Sequence, residues 1–271
     1  MALDFETPSV IFQVAGAIAT ITLNRPHEGN AVTPDLARGM SAAWEEVKRN
    51  PAVLAAIVTG AGEKHFCTGA SVSDLREGPS GLLVDGSLRD GVRFSSRQNE
   101  VWKPVICVVN GLVNGAGLHF VVDADIVVSA RSAAFMDTHT SVGQVGAIEN
   151  IGLARRTTLG AALLLTLVGR SYRMTAERAH QLGLVDILED DASSAMKTGL
   201  ELAAAIARNS PRAVMLSKQA IWGAMEKGYQ AAMEDGWELL KSQWRHPDFS
   251  EGPKAFIEKR TPVWLDPKAN E

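Results

Sequence analysis

The sequence predicts an α/β body followed by a helical C-terminal region, and three observations carry that expectation. Short apolar runs alternate with segments whose apolar residues fall at helical spacing, the rhythm of strand–helix–strand units. Strand signals thin out from Ile151 onward and helical ones take over. The chain has 271 residues, which at roughly 100–200 residues per domain allows one large domain or two smaller ones. The body is assigned to residues 1–190 and the helical region to residues 191–271.

The first strands read as a hairpin, Val10–Val14 and Ala17–Leu23 around an Ala15-Gly16 turn, with Ala17, Ala19, Ile21 and Leu23 alternating with polar or small residues. Asn24-Arg25-Pro26 stops the second strand. Thr33 before Pro34 reads as an N-cap followed by a first-turn proline, and Leu36, Met40, Trp44 and Val47 recur at helical spacing up to Asn50-Pro51. Val53–Val58 reads as a buried strand ending at the Thr59-Gly60-Ala61-Gly62 turn. The rhythm then repeats: a Gly-rich stretch at Gly78–Gly91, a helix over Val92–Trp102, a strand at Val105–Val109, a helix after Gly115 and a strand at Ile126–Ser129. Helices follow at Ala176–Leu182, Ala192–Arg208, Ala213–Lys227, Gln230–Trp244 and Pro253–Arg260. A helical arm carrying Trp237, Trp244 and many other apolar positions must pack on the body or on another subunit; packing on both is the expectation, which implies an oligomer.

Composition narrows the function classes. Hydrophobic residues at 46% and charged residues at 21% are those of a folded globular chain rather than a disordered one. The formal net charge of −4 offers no basic field for nucleic acid or anionic membrane surfaces. No apolar run reaches membrane-spanning length, and MALDFETPSV lacks the basic and apolar regions of a secretion signal. Cys67 and Cys107 read as buried small hydrophobes, with neither a disulfide framework nor zinc-ligand spacing. A cytoplasmic protein without a metal site is the expectation.

Three loops that follow strands are the candidates for chemistry: Gly60–Ser71, Asn110–Phe120 and Phe135–Gly152. Small residues in such loops let backbone N–H groups approach a ligand oxygen, and two donors aimed at one point make an oxyanion hole; the alternative is plain turn geometry. His119 lies in the first turn of the helix after Gly115, and His139 lies beside Asp137 in the third loop. Imidazole is the side chain suited to proton transfer near neutrality, and Asp137 or Glu149 would orient it, although Asp137 also reads as a loop cap. Elsewhere, Lys103-Pro104 reads as an edge position, Lys218 as decoration of a helix and Arg155-Arg156 as a solvated face.

Taken in order, the motifs resemble the crotonase superfamily, the enoyl-CoA hydratase/isomerase family. They are LNRP…NA at Leu23–Ala31, TGAGEKHFCTGA at Thr59–Ala70, KPVICVVNG at Lys103–Gly111, DxxxSA at Asp125–Ala130, GRSYRMTAERAHQLGLVD at Gly169–Asp186 and NSPRAVMLSK at Asn209–Lys218. The resemblance covers nearly the whole chain. It implies a spiral of ββα units with a helical C-terminal trimerisation region, a homotrimer or dimer of trimers, and an acyl-CoA substrate, with coenzyme A as part of that substrate and no separate cofactor. It further implies oxyanion-hole amides at Ala70 and Ala116, the latter standing where the family has the middle glycine of Gly115-Ala116-Gly117. Coenzyme A and substrate contacts would fall at Arg25, His27, Gly29, Thr68, Ser71, Gly115 and Thr138, with Phe256 and Lys259 reaching over from the helical region.

The departures from the family pattern are informative. Hydratases of the family use two glutamates, and their positions hold His119 and His139. Thr138 replaces the proline before the second glutamate, Ser71 the aspartate after Ala70, and Gly146-Ala147-Ile148-Glu149 brings another carboxylate near. The expected activity is an oxyanion-hole-stabilised enolate reaction of an acyl-CoA, a lyase or isomerase step, with His119, His139, Asp137 and Glu149 as the catalytic set. Two alternatives stand beside it. One is a C–C bond hydrolase, similar to the β-diketone hydrolases of the superfamily, the 6-oxocamphor hydrolase type; the other is a non-catalytic acyl-CoA-binding homologue.

Overall fold

A computed structural model describes residues 4–71 and 87–265 of the chain. The Gly-rich stretch expected at Gly78–Gly91 falls outside the described residues up to residue 86.

Strands β1 (Phe5–Glu6), β2 (Val10–Ala15) and β3 (Ile18–Leu23) form an antiparallel meander at one edge of the larger sheet. Gly16, at φ 59°, makes the tight β2–β3 turn that the sequence predicts. Helix α1 (Pro34–Arg49) starts as expected: Thr33 Oγ1 accepts the Leu36 N–H at 3.1 Å. Its buried face is Leu36, Met40, Ala43, Trp44 and Val47, and the Trp44 indole donates to Phe94 O at 2.8 Å.

From β4 the chain alternates between two sheets. Strands β4 (Ala55–Gly60), β6 (Val105–Val109), β8 (Ile126–Ala130) and β11 (Ile187–Glu189) extend the first as parallel neighbours in the order β1-β2-β3-β4-β6-β8-β11. Strands β5 (His65–Cys67), β7 (Leu112–Asn114), β9 (Ala134–Met136) and β10 (Met174–Thr175) form the second, in the order β10-β9-β7-β5. Each paired step, β4–β5, β6–β7 and β8–β9, adds one strand to each sheet, so the chain winds as a spiral. The spiral brings the three candidate loops side by side, because each begins where a strand of the first sheet ends or where one of the second does.

Sequence reasoning overstates one helix. Over Val92–Trp102 the chain makes turns after the one-turn α2 (Leu88–Gly91), because Asn99 Nδ2 satisfies Arg93 O and Ser95 O, and Glu100 takes φ 55°. The helix after Gly115 is short, a 3₁₀ turn at Gly115–Gly117 followed by α3 (Leu118–Val122). Helices α4 (Ile148–Arg156) and α5 (Leu159–Val168) lead to α6 (Ala176–Gln181) and then to α7 (Ala192–Ala207), which lays Ala195 and Ala203 on Ile57, Ile106 and Val108 of the first sheet.

The arm is α8 (Pro211–Ala224), α9 (Tyr229–Trp244) and α10 (Asp248–Ile257). Lys218 does not decorate its helix: it is buried, pairs with Asp125 at 2.6 Å and donates to Lys103 O at 3.0 Å. Lys103 is buried as well, donating to Asn50 O, so the edge reading fails for the same reason: both ammonium groups tie separate segments together from largely buried positions. Arg156 likewise bridges Ala124 O, Leu184 O and Asp186 instead of lying on a solvated face. Leu159, Leu163, Leu164 and Leu167 on α5 and Tyr229, Met233, Trp237 and Trp244 on α9 stay exposed in the single chain. Among the described residues, no helix is long and apolar enough to cross a membrane.

Candidate active site

Small residues set the closeness of the first two loops. A Cβ built on Gly69 would stand 2.8 Å from Asn114 O and 3.2 Å from the Ala116 nitrogen. Ala70 makes an isolated bridge to Val32, in which Val32 N–H binds Gly69 O and Ser71 N–H binds Val32 O. In that pattern the Ala70 N–H points away from Val32, toward the second loop's side. The Ala116 N–H belongs to the first turn of a helix, where N–H groups have no intrahelical acceptor. Among the described residues no backbone acceptor is bonded to either N–H. Asn114 fixes the arrangement, its Nδ2 donating to Thr68 O and Thr138 Oγ1, both at 3.0 Å, and so linking all three loops.

The ionisable residues converge from the third loop and α3. Asp137 is fully buried, and its Oδ1 accepts both the His139 backbone N–H at 3.0 Å and its Nδ1–H at 2.6 Å. Asp137 is thus the loop cap of the plain reading and the imidazole's partner at once. The other oxygen, Oδ2, accepts from Asn150 Nδ2 at 2.6 Å. With Nδ1 donating to the carboxylate, His139 carries its lone pair on Nε2. That ring lies against Gly115, which takes φ 51°; a Cβ there would sit 3.3 Å from His139 Cε1.

Glu149, buried on α4, spans the two histidines: its Oε2 is 3.3 Å from His119 Nε2 and its Oε1 is 3.1 Å from His139 Nδ1. His119 is 4% exposed and packs edge-on against Phe94, whereas the His139 side chain is 21% exposed. The structure thus brings all four members of the expected catalytic set together, with His139 on the open side and His119 behind Glu149.

Electrostatics follows from these contacts. The hydrogen bond to Asp137 raises His139 above the ordinary imidazole value; burial opposes this and the Glu149 charge adds to it. Burial pushes Asp137 up, but the bonds from His139 and Asn150 outweigh it and hold the carboxyl below its usual range. Glu149 is lowered in the same way, burial being overcome by the His119 bond and the nearby imidazole charges. Cys67, wholly buried, is pushed up to about 12, and burial raises Cys107 too, so neither thiol is a nucleophile near neutrality.

The remaining expected residues form two groups. Arg25, Gly29 and Thr68 lie together: Thr68 N–H and Oγ1–H both donate to Gly29 O, and Arg25 pairs with Glu28. His27 beside them is exposed, Ser71 adjoins Ala70, and Thr138 adjoins His139. Phe256, on α10, is 85% exposed, and Lys259 follows that helix; no side-chain hydrogen bond or ion pair joins either to the imidazole cluster.

Sequence reasoning missed Asn150, Gly146, Asn114 and Phe94. One signal for Asn150 was available: Glu149 and Asn150 share the face of α4 that buries Leu153, and two polar residues on an apolar face need partners.

The enoyl-CoA hydratase/isomerase family profile matches residues 13–267. The short-chain-enoyl-CoA hydratase of Clostridium acetobutylicum is 32% identical over 263 residues, covering 94% of this chain and 97% of that one. The 1,2-epoxyphenylacetyl-CoA isomerase of Escherichia coli is 30% identical over 257 residues, covering 93% and 97%. The crystal structure of an enoyl-CoA hydratase/isomerase from Mycobacterium paratuberculosis superposes with a TM-score of 0.85 at 32% identity, covering 95% of this chain and 98% of that one. The spiral of paired strands described above is therefore the crotonase fold, and the chain belongs to the enoyl-CoA hydratase/isomerase family.

Proposed function

We propose that the protein acts on an acyl-CoA thioester through an enolate, with His139 as the acid/base where hydratases of the family use a glutamate. The observation that carries this reading is the 2.6 Å contact between His139 Nδ1 and buried Asp137, which leaves Nε2 as the basic atom of a partly exposed ring. In the proposed step the thioester oxygen accepts from the N–H groups of Ala70 and Ala116. His139 Nε2 takes a proton from carbon next to the carbonyl, and the C–H electron pair moves onto the carbonyl oxygen as an enolate. Return of the proton to a different carbon completes an isomerisation; its transfer from His139 to a β-hydroxyl, which leaves as water while the enolate electrons form the new C=C bond, completes a dehydration, and the reverse is a hydration. Glu149, held by His119, supplies negative charge behind the protonated imidazole. This divides the labour between the two histidines, His139 moving the proton and His119 acting through Glu149.

Coenzyme A would run past Arg25, His27, Gly29 and Thr68, and past Ser71, Gly115 and Thr138 near the thioester, with Phe256 and Lys259 completing the site from the helical region. The reading needs no separate cofactor. The exposed apolar residues of α5 and α9 support a homotrimer or dimer of trimers; light scattering coupled to size exclusion tests this, and a monomer refutes it.

The test is calorimetry with crotonyl-CoA and free coenzyme A, with hydration of crotonyl-CoA followed in the same samples. Binding with slow or no hydration is expected, followed by turnover of other thioesters in a screen. Absence of coenzyme A binding overturns the reading. It would favour instead hydrolysis of a C–C bond in a free β-diketone, for which the same Asp137–His139 pair would deprotonate the attacking water. Binding without turnover of any ester by the wild type would leave an acyl-CoA-binding protein.

A further inference from the structure

His139 Nδ1 has two acidic neighbours, Asp137 Oδ1 at 2.6 Å and Glu149 Oε1 at 3.1 Å. One N–H serves one acceptor well. Asp137 receives it, and Glu149 Oε1 is buried without a hydrogen-bond donor. The rival carboxylate sits on α4, and the next residue on that helix, Asn150, is the one that grips Asp137, donating to Oδ2 at 2.6 Å from a buried position.

The grip requires a gap at Gly146. A Cβ there would fall 2.3 Å from Asn150 Nδ2, 2.7 Å from Asp137 Oδ2 and 3.3 Å from His139 Nδ1. Asn150 has poor helix propensity, and its own Oδ1 is buried without a partner, so packing and helix formation alone give it no advantage.

We infer that Asn150, in the cradle left open by Gly146, is a positioning residue that makes Asp137 rather than Glu149 the acceptor of His139 Nδ1–H. It thereby fixes the orientation of the ring, and with it the direction of Nε2. This rests on the reading of His139 as the acid/base. With the clamp removed, the Asp137 carboxylate turns, the Nδ1–H divides between two carboxylates that both face Nδ1, and the ring swings between them.

The experiment is nitrogen NMR of histidine-labelled protein, with His139 assigned by its loss in His139→Gln, on the wild type, Asn150→Ala and Asn150→Asp. Kinetics on whichever acyl-CoA the screen identifies are measured alongside. Once the ring is neutral, the wild type is expected to show one Nδ1–H resonance, moved far downfield by its short bond to Asp137. Asn150→Ala is expected to keep the proton on Nδ1 but to broaden its resonance and move it upfield, and to lower kcat about 10–100-fold with KM within about twofold. Asn150→Asp, whose second carboxylate repels Asp137 instead of donating to it, is expected to show the same broadened, upfield resonance while the ring is neutral. A folded Asn150→Ala protein that keeps the wild-type Nδ1–H resonance overturns the inference; if that variant does not fold, the same resonance unmoved in Asn150→Asp does so. The ring signature needs no turnover, so an inactive wild type would remove the acid/base reading while the positioning claim is still decided.

Discussion

Replacing Asp137 by Asn tests the heart of the site with the least change of shape. Asp137 accepts three hydrogen bonds, two on Oδ1 from His139 and one on Oδ2 from Asn150. An amide can keep its oxygen toward His139 only by turning its NH₂ toward Asn150, which must then present its own oxygen. Asn150 Oδ1 has no partner in the native site, so this flip costs little and leaves the imidazole tautomer in place. What disappears is charge. Two unit charges about 4 Å apart interact by about 4 kcal/mol at an effective dielectric of 20, and Glu149 retains part of the stabilisation of the imidazolium. A loss of about 3 kcal/mol, on the order of 10²-fold in kcat, is expected. Because Asp137 raises the His139 pKa, its removal must move the acid limb of the kcat/KM profile to lower pH. Steady-state kinetics between pH 5 and about 9 measure both effects. An unchanged kcat with an unmoved limb refutes the reasoning. A loss approaching 10⁴-fold, as when a triad histidine adopts the wrong tautomer, would show that Asn150 does not turn.

Three further outcomes follow. Ala116→Pro removes an N–H, and a loss of about 2.7–4 kcal/mol of transition-state stabilisation is expected, with rate falling more than ligand affinity when both are measured on one sample. Lys218→Met leaves Asp125 without its buried cation and should destabilise the protein by about 3–5 kcal/mol in urea unfolding, while leaving the His139 ring signature unchanged. The Asp137–His139 pair makes stability depend on pH in both directions. The lowered Asp137 contributes fully above about pH 4 and loses its contribution as pH falls through its folded value. The raised His139 contributes fully below about pH 6.5 and loses its contribution as pH rises through its folded value. The stability difference between the wild type and His139→Gln should therefore be largest between about pH 4 and 6.5; a difference independent of pH would contradict the assignment.

Much of the architecture was legible in the sequence, because cap chemistry and long apolar periodicities are local signals. Thr33-Pro34 and the Leu36, Met40, Trp44, Val47 stripe set the start and buried face of α1, and the hairpin around Gly16 follows from alternation. Strands β5, β7, β9 and β10 were not legible: two or three residues long, they owe their existence to neighbours in the second sheet. The helix expected over Val92–Trp102 failed because Asn99 diverts two carbonyls into turns. The bridging roles of Lys103, Lys218 and Arg156 depend on carbonyls and carboxylates far along the chain, which no local pattern reports. Within the site, the types His119, Asp137, His139 and Glu149 were legible, whereas the division between an open imidazole and a buried one came from the fold.

The central claim is that His139 moves a proton at carbon beside a thioester whose oxygen rests on the Ala70 and Ala116 amides. Its most direct test is solvent deuterium uptake at that carbon of a saturated acyl-CoA such as butyryl-CoA, followed by proton NMR, since enolate formation exchanges this hydrogen whatever the later steps. The account predicts exchange with the wild type, with little or none for His139→Ala protein that still binds the ester. Exchange that survives in His139→Ala, or a wild type that binds the ester and exchanges nothing, contradicts it.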